Sequence, residues 1–364
     1  MSDGSSYLGH NLVFIISQPK AGSTLLQRIL AGHPEVQTSA ETWLMLHPVY
    51  ALRSFGIDTD YNANWAATGV REFLENYAEG EATYREGLRS FAATVYGSVL
   101  ERSSKRIFLD KTPRYTMIVD DLIELFPAAK FIFLLRNPLA ILKSELHTYV
   151  KGDWPVLAQF RPDLIDAPAR IVSARAKLGD IGHTIHYEDL VSNPETCVES
   201  LCTFLNIELD TAMLDYSNTP APVGKMNDPV GIHRHSSPST DSLDRWKELG
   251  SDRQSRHFAL SYLADIGDET ISALGYDPAG LRQAINEGKP DSARKTLYPW
   301  KLAMTPIGLR SLRQHLQHAW YTGAGSGGPL SGILEVLRLL AGRVFSGGRR
   351  LAGGPPTSRG DSAR

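Results

Sequence analysis

Seven residues, Asn11-Leu-Val-Phe-Ile-Ile-Ser17, restrict this chain more than any others. The run is β-branched and aromatic with no polar alternation, the pattern of a strand buried on both faces, as in a parallel sheet. It passes directly into the breaker-rich loop Gln18-Pro-Lys-Ala-Gly-Ser-Thr24. A helix through Leu25–Ala31 follows and stops at Gly32-His-Pro34. The same strand–loop–helix unit recurs twice. Arg106–Asp110 leads through Lys-Thr-Pro113 into a helix over Ile118–Phe126, and Lys130–Leu135 leads through Arg-Asn-Pro138 into one over Leu139–Tyr149. His183–Tyr187 is a fourth strand. Strands alternating with helices predict an α/β fold around a central parallel sheet. In such sheets ligands bind beyond the carboxyl ends of the strands, where three of these four strands run into proline-containing turns.

Residues 43–104 and 153–178 carry no strand signal and are expected to be helical covers over that edge, within a domain spanning 1–290. After it the texture changes. From Arg294 onward there are 11 Lys and Arg against Glu335 and Asp361, a balance of +9; the net charge of −2 therefore leaves −11 for residues 1–293. The extension 291–364 holds a Gly323–Gly328 linker, a basic amphipathic helix over 331–346 and a Gly/Pro/Arg-rich tail expected to be disordered. Contact with an anionic membrane is one use for such a helix; docking on the body is the other.

Hydrophobic residues at 42% and charged residues at 21% are ordinary for a globular chain, and no apolar run approaches the roughly 20 residues that span a bilayer. Cys197 and Cys202 are too few and too closely spaced for a disulfide framework or a zinc site. Met1-Ser-Asp-Gly4 has no basic or apolar leader character. The expected location is cytoplasmic, with the tail peripheral to the inner face of a membrane. No nucleic-acid partner is expected.

The first loop sits where backbone N–H groups at a helix N-terminus and the helix dipole favour a phosphate or sulfate. Gly22 allows close approach, Lys20 adds a point charge, and Ser23 and Thr24 add hydroxyl donors. The plainer reading is an ordinary turn with Ser23 as N-cap. A nucleotide-triphosphatase loop places its lysine after the last glycine, whereas Lys20 precedes Gly22. Arg136 at another strand end, with Ser144 eight residues on, makes a second anion site. Two such sites suit a nucleotide phosphorylated at both ends.

On Pro19-Lys-Ala-Gly-Ser-Thr24 and Arg136-Asn-Pro…Ser144 the chain resembles the sulfotransferases that use 3′-phosphoadenosine 5′-phosphosulfate (PAPS). His186-Tyr-Glu-Asp-Leu190 with Asn193-Pro194, Asp228-Pro-Val-Gly231 and Ser242-Leu-Asp-Arg-Trp-Lys247 extend the resemblance over about residues 11–250. It implies a P-loop-like three-layer fold and metal-independent transfer of a sulfuryl group to an acceptor hydroxyl. It also implies roles: Lys20, Ala21, Gly22, Ser23 and Thr24 on the 5′-phosphosulfate, Arg136 and Ser144 on the 3′-phosphate, and Tyr187 beside the nucleotide. Lys225 and Arg234 are candidates to close over it.

Such a reaction needs a general base near the acceptor oxygen. His33-Pro-Glu-Val…Glu41-Thr42 is similar to the tyrosylprotein and bacterial branch of the family, which implies Glu41 as that base. Thr38-Ser-Ala-Glu41 also fits a capping box, in which Glu41 would only satisfy a backbone N–H. Lys111 is placed to touch the sulfuryl group or orient Glu41, or else is an exposed loop lysine. His47 and His147 are reserve bases, and Trp43, Tyr50, Trp65 and Tyr77 are candidates to line an acceptor pocket. The expected acceptor is a small-molecule, carbohydrate or lipid hydroxyl; the alternatives are a protein tyrosine, a P-loop kinase or hydrolase, and a non-catalytic nucleotide-binding module.

Overall fold

The computed structural model describes residues 7–53, 56–57, 59–179, 182–215, 223, 237–289 and 296–305. Five parallel strands run through it: β1 (Leu12–Ser17), β2 (Val36–Thr38), β3 (Ile107–Asp110), β4 (Lys130–Leu135) and β5 (Gly182–His186). Their order is β2-β3-β1-β4-β5, with Val13 opposite both Leu109 and Lys130. All six residues of β1 are buried, as its apolar run requires.

β2 is not among the strands the sequence predicts. Its three residues, Val36-Gln-Thr38, are too short for a periodic signal, and what makes them a strand is pairing with Ile107–Leu109. From β1 the chain goes to the edge strand β2, returns to place β3 between β2 and β1, then crosses to β4 and β5 on the other side. The order therefore reverses at β1, the position where ligands bind in open parallel sheets.

Alternate residues of β1 feed two cores. Val13 and Ile15 pack with α1 (Ser23–Ala31), and that core extends across later helices. Leu12, Phe14 and Ile16 pack on the other face with residues of α2 (Leu46–Tyr50), α4 (Glu81–Ser103) and α5 (Val119–Leu125), while α3 (Ala63–Tyr77) lies between α2 and α4 in the chain. α6 (Pro138–Glu145) follows β4, its last turn widened over Leu146–Val150, and α7 (Ala167–Leu178) precedes β5. α8 (Tyr187–Ser192) and α9 (Pro194–Leu205) follow β5. Helices on one face, the sheet, and helices on the other face make the expected three layers. Among the described residues no helix is long and apolar enough to cross a membrane.

By contacts the chain divides into residues 1–57 with 65–307, and residues 58–64 with 308–364. The site described below lies in the first unit. In the second, Thr59 Oγ1 donates to the Tyr61 carbonyl at 2.7 Å. Packing in the first unit continues past residue 290. Trp300 is buried against Phe258 and Tyr262, and its Nε1 donates to Asp265 at 2.7 Å. The expected linker, the helix over 331–346 and the tail lie outside the described residues, as do Lys225, Arg234 and Asp228–Gly231.

Phe14 is fully buried and its ring centroid lies 5.4 to 6.1 Å from those of Phe131, Phe126 and Tyr115. Phe14→Ala should cost about 3–5 kcal/mol in urea unfolding; a loss below about 1 kcal/mol would mean the strand is not the central one.

Candidate active site

The loop after β1 is a type II turn in its sequence logic. Pro19 takes the second position and Lys20 the third, with the positive φ (66°) that position demands, and Ala21 N donates to the Gln18 carbonyl at 3.2 Å. A lysine in the left-handed region costs on the order of 1–3 kcal/mol unless its surroundings hold it. The guanidinium of Arg136, at the end of β4, does so: its Nη1 donates to the Lys20 carbonyl at 2.8 Å. Lys20 Nζ itself lies 4.6 Å from the centre of the Tyr149 ring.

Gly22 is the N-cap of α1 at φ 98°, and no side chain caps the helix there. Ser23 is thus the first helical residue, not the cap that the plainer reading supposes. Leu25 N already donates to the Gly22 carbonyl at 2.9 Å, so the first-turn N–H groups without an intrahelical acceptor are those of Ser23 and Thr24. A Cβ at Gly22 would overlap the Tyr187 ring, so only glycine serves.

Tyr187, just past the end of β5, also lies under Arg136, whose guanidinium carbon is 4.1 Å from the ring centre. Arg136 Nη2 donates to Ser242 Oγ at 3.4 Å, and Ser242 and the Tyr187 hydroxyl lie 3.0 Å apart. Burial draws the guanidinium below its usual proton affinity, with Tyr187 and Glu188 opposing. Glu188 accepts from Asn137 N and from the Tyr276 hydroxyl, each at 2.9 Å, and so pins the turn that carries Arg136. Asn137 caps α6 through Leu139 N, with Pro138 at the first helical position. Ser144 stands near the far end of α6, half-buried; the side chain of Arg136 turns to Lys20, Ser242 and Tyr187.

On the other side of β1, Lys111 follows β3 and Glu41 follows β2. Lys111 Nζ donates to Glu41 Oε1 at 2.9 Å, its side chain 1% exposed against 18% for Glu41. An exposed loop lysine is therefore the wrong description of Lys111; a buried ammonium requires this partner. The capping box does not form. Thr38 Oγ1 donates to the Leu109 carbonyl and no helix begins at Glu41. Trp43 Nε1 instead donates to Glu41 Oε2 at 3.2 Å, from a backbone at φ 53°.

His47 and His147 are exposed. Trp65 and Tyr77 also point to solvent, and Tyr50 stacks under Arg53 at 4.2 Å, so of the four aromatics Trp43 alone touches Glu41. Among the described residues no group of three His, Cys, Asp or Glu side chains has the geometry of a metal site.

Asp110 and Asp163, both buried, escaped sequence reasoning. Asp110 closes β3 and accepts from four hydroxyls; burial raises its carboxyl and those donors pull it back. An acid terminating an apolar run was the available signal. Asp163, 1% exposed, pairs with Arg114 at 2.8 Å, and its carbonyl accepts from Gln18 Nε2 at 2.8 Å. Nothing in the order of residues links Asp163 to Arg114 or to the loop after β1.

A family model described as "Sulfotransferase family" matches residues 12–211, more than half of the chain. The nodulation protein NoeE of Sinorhizobium fredii is 38% identical over 148 residues, 40% of this chain and 32% of that protein. A protein-tyrosine sulfotransferase of Drosophila melanogaster is 25% identical over 299 residues, 77% of this chain and 54% of that enzyme. The chain thus spans about a third and about half of these two relatives. Among solved structures, the sulfotransferase domain from the curacin biosynthetic pathway aligns with 67% of this chain and 92% of its own, at 25% identity and a TM-score of 0.48.

Burial pushes the Asp163 carboxyl up to about 6, with Arg114 opposing. Asp163 therefore binds its proton more tightly folded than unfolded. Its contribution to stability is present below the ordinary carboxylate range and lost as pH rises through about 6. Relative to Asp163→Asn, the wild type should lose about 3 kcal/mol between about pH 4 and pH 7. Urea unfolding across that window checks this; a pH-independent difference contradicts it.

Proposed function

The chain belongs to the sulfotransferase family, and on that premise we propose that it moves the sulfuryl group of PAPS to an acceptor hydroxyl. The observation that carries the reading is the 2.8 Å bond from Arg136 to the Lys20 carbonyl. It couples the helix N-terminal loop of β1 to an arginine on the adjacent strand, so two anion-holding groups stand side by side. The donor set fits a nucleotide with both 5′ and 3′ phosphates. Arg136 Nε is buried with no acceptor among the described residues, and the close approach of Tyr187 to Gly22 leaves no space for a side chain there.

The nucleotide supplies an activated sulfuryl group. Lys20, Ser23, Thr24 and the Gly22 N–H hold its 5′ side, whereas the Ala21 N–H is committed to the Gln18 carbonyl, and Lys20 neutralises charge on the departing phosphate oxygen. Arg136 and Ser144 hold the 3′-phosphate, with Tyr187 against the nucleotide. Glu41 takes the proton of the acceptor hydroxyl as its oxygen attacks sulfur in line. Lys111 orients Glu41 through their ion pair and brings a cation to the same strand ends.

The acceptor we favour is a small-molecule, carbohydrate or lipid hydroxyl, because residues 1–293 carry −11 and would repel an acidic peptide. Likeness to the Drosophila enzyme over 77% of this chain supports a protein tyrosine as the second reading.

Calorimetric titration with 3′-phosphoadenosine 5′-phosphate, beside ATP and without magnesium, tests the donor. The bisphosphate should bind, Arg136→Ala should weaken it about 10- to 100-fold, and ATP should bind poorly. Equal or tighter ATP binding would hand the site to a kinase or hydrolase. Glu41→Gln should lower kcat about 10²- to 10⁴-fold while bisphosphate affinity holds. Turnover at the wild-type rate would move the base elsewhere.

A further inference from the structure

We infer that Asp110 is a positioning residue: a sealed carboxylate that, through three hydroxyl relays, holds the backbone after Glu41 and keeps that side chain at Lys111. The inference rests on the reading of Glu41 as base. Asp110 is 1% exposed, and among the described residues no Lys or Arg pairs with it; its sequence neighbour Lys111 pairs with Glu41. Its charge is met by hydroxyls alone. Oδ2 accepts from Thr42 at 2.6 Å, Tyr96 at 2.7 Å and Tyr115 at 3.1 Å, and Oδ1 accepts from Thr112 at 2.9 Å.

Three of these hydroxyls have a second task. Thr112 Oγ1 accepts from Trp43 N at 3.4 Å, Thr42 Oγ1 from Leu44 N at 3.2 Å, and the Tyr115 hydroxyl from Met45 N at 3.1 Å. Three consecutive N–H groups, two to four residues after Glu41, are thus connected to one carboxylate. An anionic Asp110 can only accept, so each hydroxyl must donate inward and accept from the backbone. The polarity of the whole array follows from that one charge. It also holds Trp43 at its positive φ, from which the indole reaches Glu41. Tyr96 donates to Asp110 but bonds none of these N–H groups.

Asp110→Asn keeps the shape and reverses part of the polarity, because its amide N–H₂ must donate to hydroxyls that are themselves donors. We expect kcat to fall about 10- to 100-fold with bisphosphate affinity unchanged, since the loop after β1 and Arg136 lie outside the array. In a Glu41→Gln background the same change should cost less than about threefold, because a residue acting only through Glu41 has nothing left to position. Thr42→Val, which removes one relay, should lower kcat in the same direction by less, and it carries the test if Asp110→Asn does not fold. Wild-type kcat in the variant tested, or an undiminished penalty in the Glu41→Gln background, overturns the inference. So does a parallel loss of bisphosphate affinity, the mark of general damage. Full turnover by Glu41→Gln alone would instead remove the base on which the inference rests.

Discussion

Everything in this site depends on β1 pairing in parallel with both β3 and β4. Parallel pairing sends every carboxyl end to one edge of the sheet, and a strand buried on both faces leaves polar groups no place but its ends. The loop around Lys20 follows β1, Arg136 follows β4, Tyr187 follows β5, Lys111 follows β3 and Glu41 follows β2. Five strand ends thereby bring the five candidate groups to one edge of the sheet. No single segment of the chain could assemble them.

The edge stores strain in two places, and each is held by a charged group on a neighbouring strand end. Lys20 lies in the left-handed region with its carbonyl tied to Arg136; Trp43 lies there with its N–H tied through Thr112 to Asp110. Positive φ in residues of this size costs on the order of 1–3 kcal/mol and persists only where surroundings over-determine it. Here the restraints come from groups at the candidate site itself, so the shape of each loop is tied to the side chains on the neighbouring strand end.

Glu41 and Asp110 show how environment separates two identical functional groups. Glu41 is partly exposed, with an ammonium on one oxygen and an indole N–H on the other. Asp110 is sealed, and among the described residues its side-chain hydrogen bonds come from hydroxyls. The first suits proton transfer and the second suits holding a shape.

The apolar runs of β1, β3 and β4, the Pro-Lys-Ala-Gly-Ser-Thr loop and the Arg-Asn-Pro turn were legible by themselves, because burial on both faces and N-terminal helix chemistry are local properties written in consecutive residues. Lys20, Gly22 and Arg136 were readable as candidates for the same reason, whereas Tyr187, Lys111 and Glu41 became candidates through the resemblance to the sulfotransferases. The pairing of Lys111 with Glu41 across 70 positions was not, nor was the choice between a capping box and that ion pair. β2 exists only because β3 offers an edge to a three-residue segment. Asp110 with its hydroxyls, and Asp163 with Arg114, are contacts between elements far apart in the chain. Local pattern decides where strands and helix starts fall; which polar groups then meet beyond the strand ends is decided by sheet order, a property no single stretch of residues possesses.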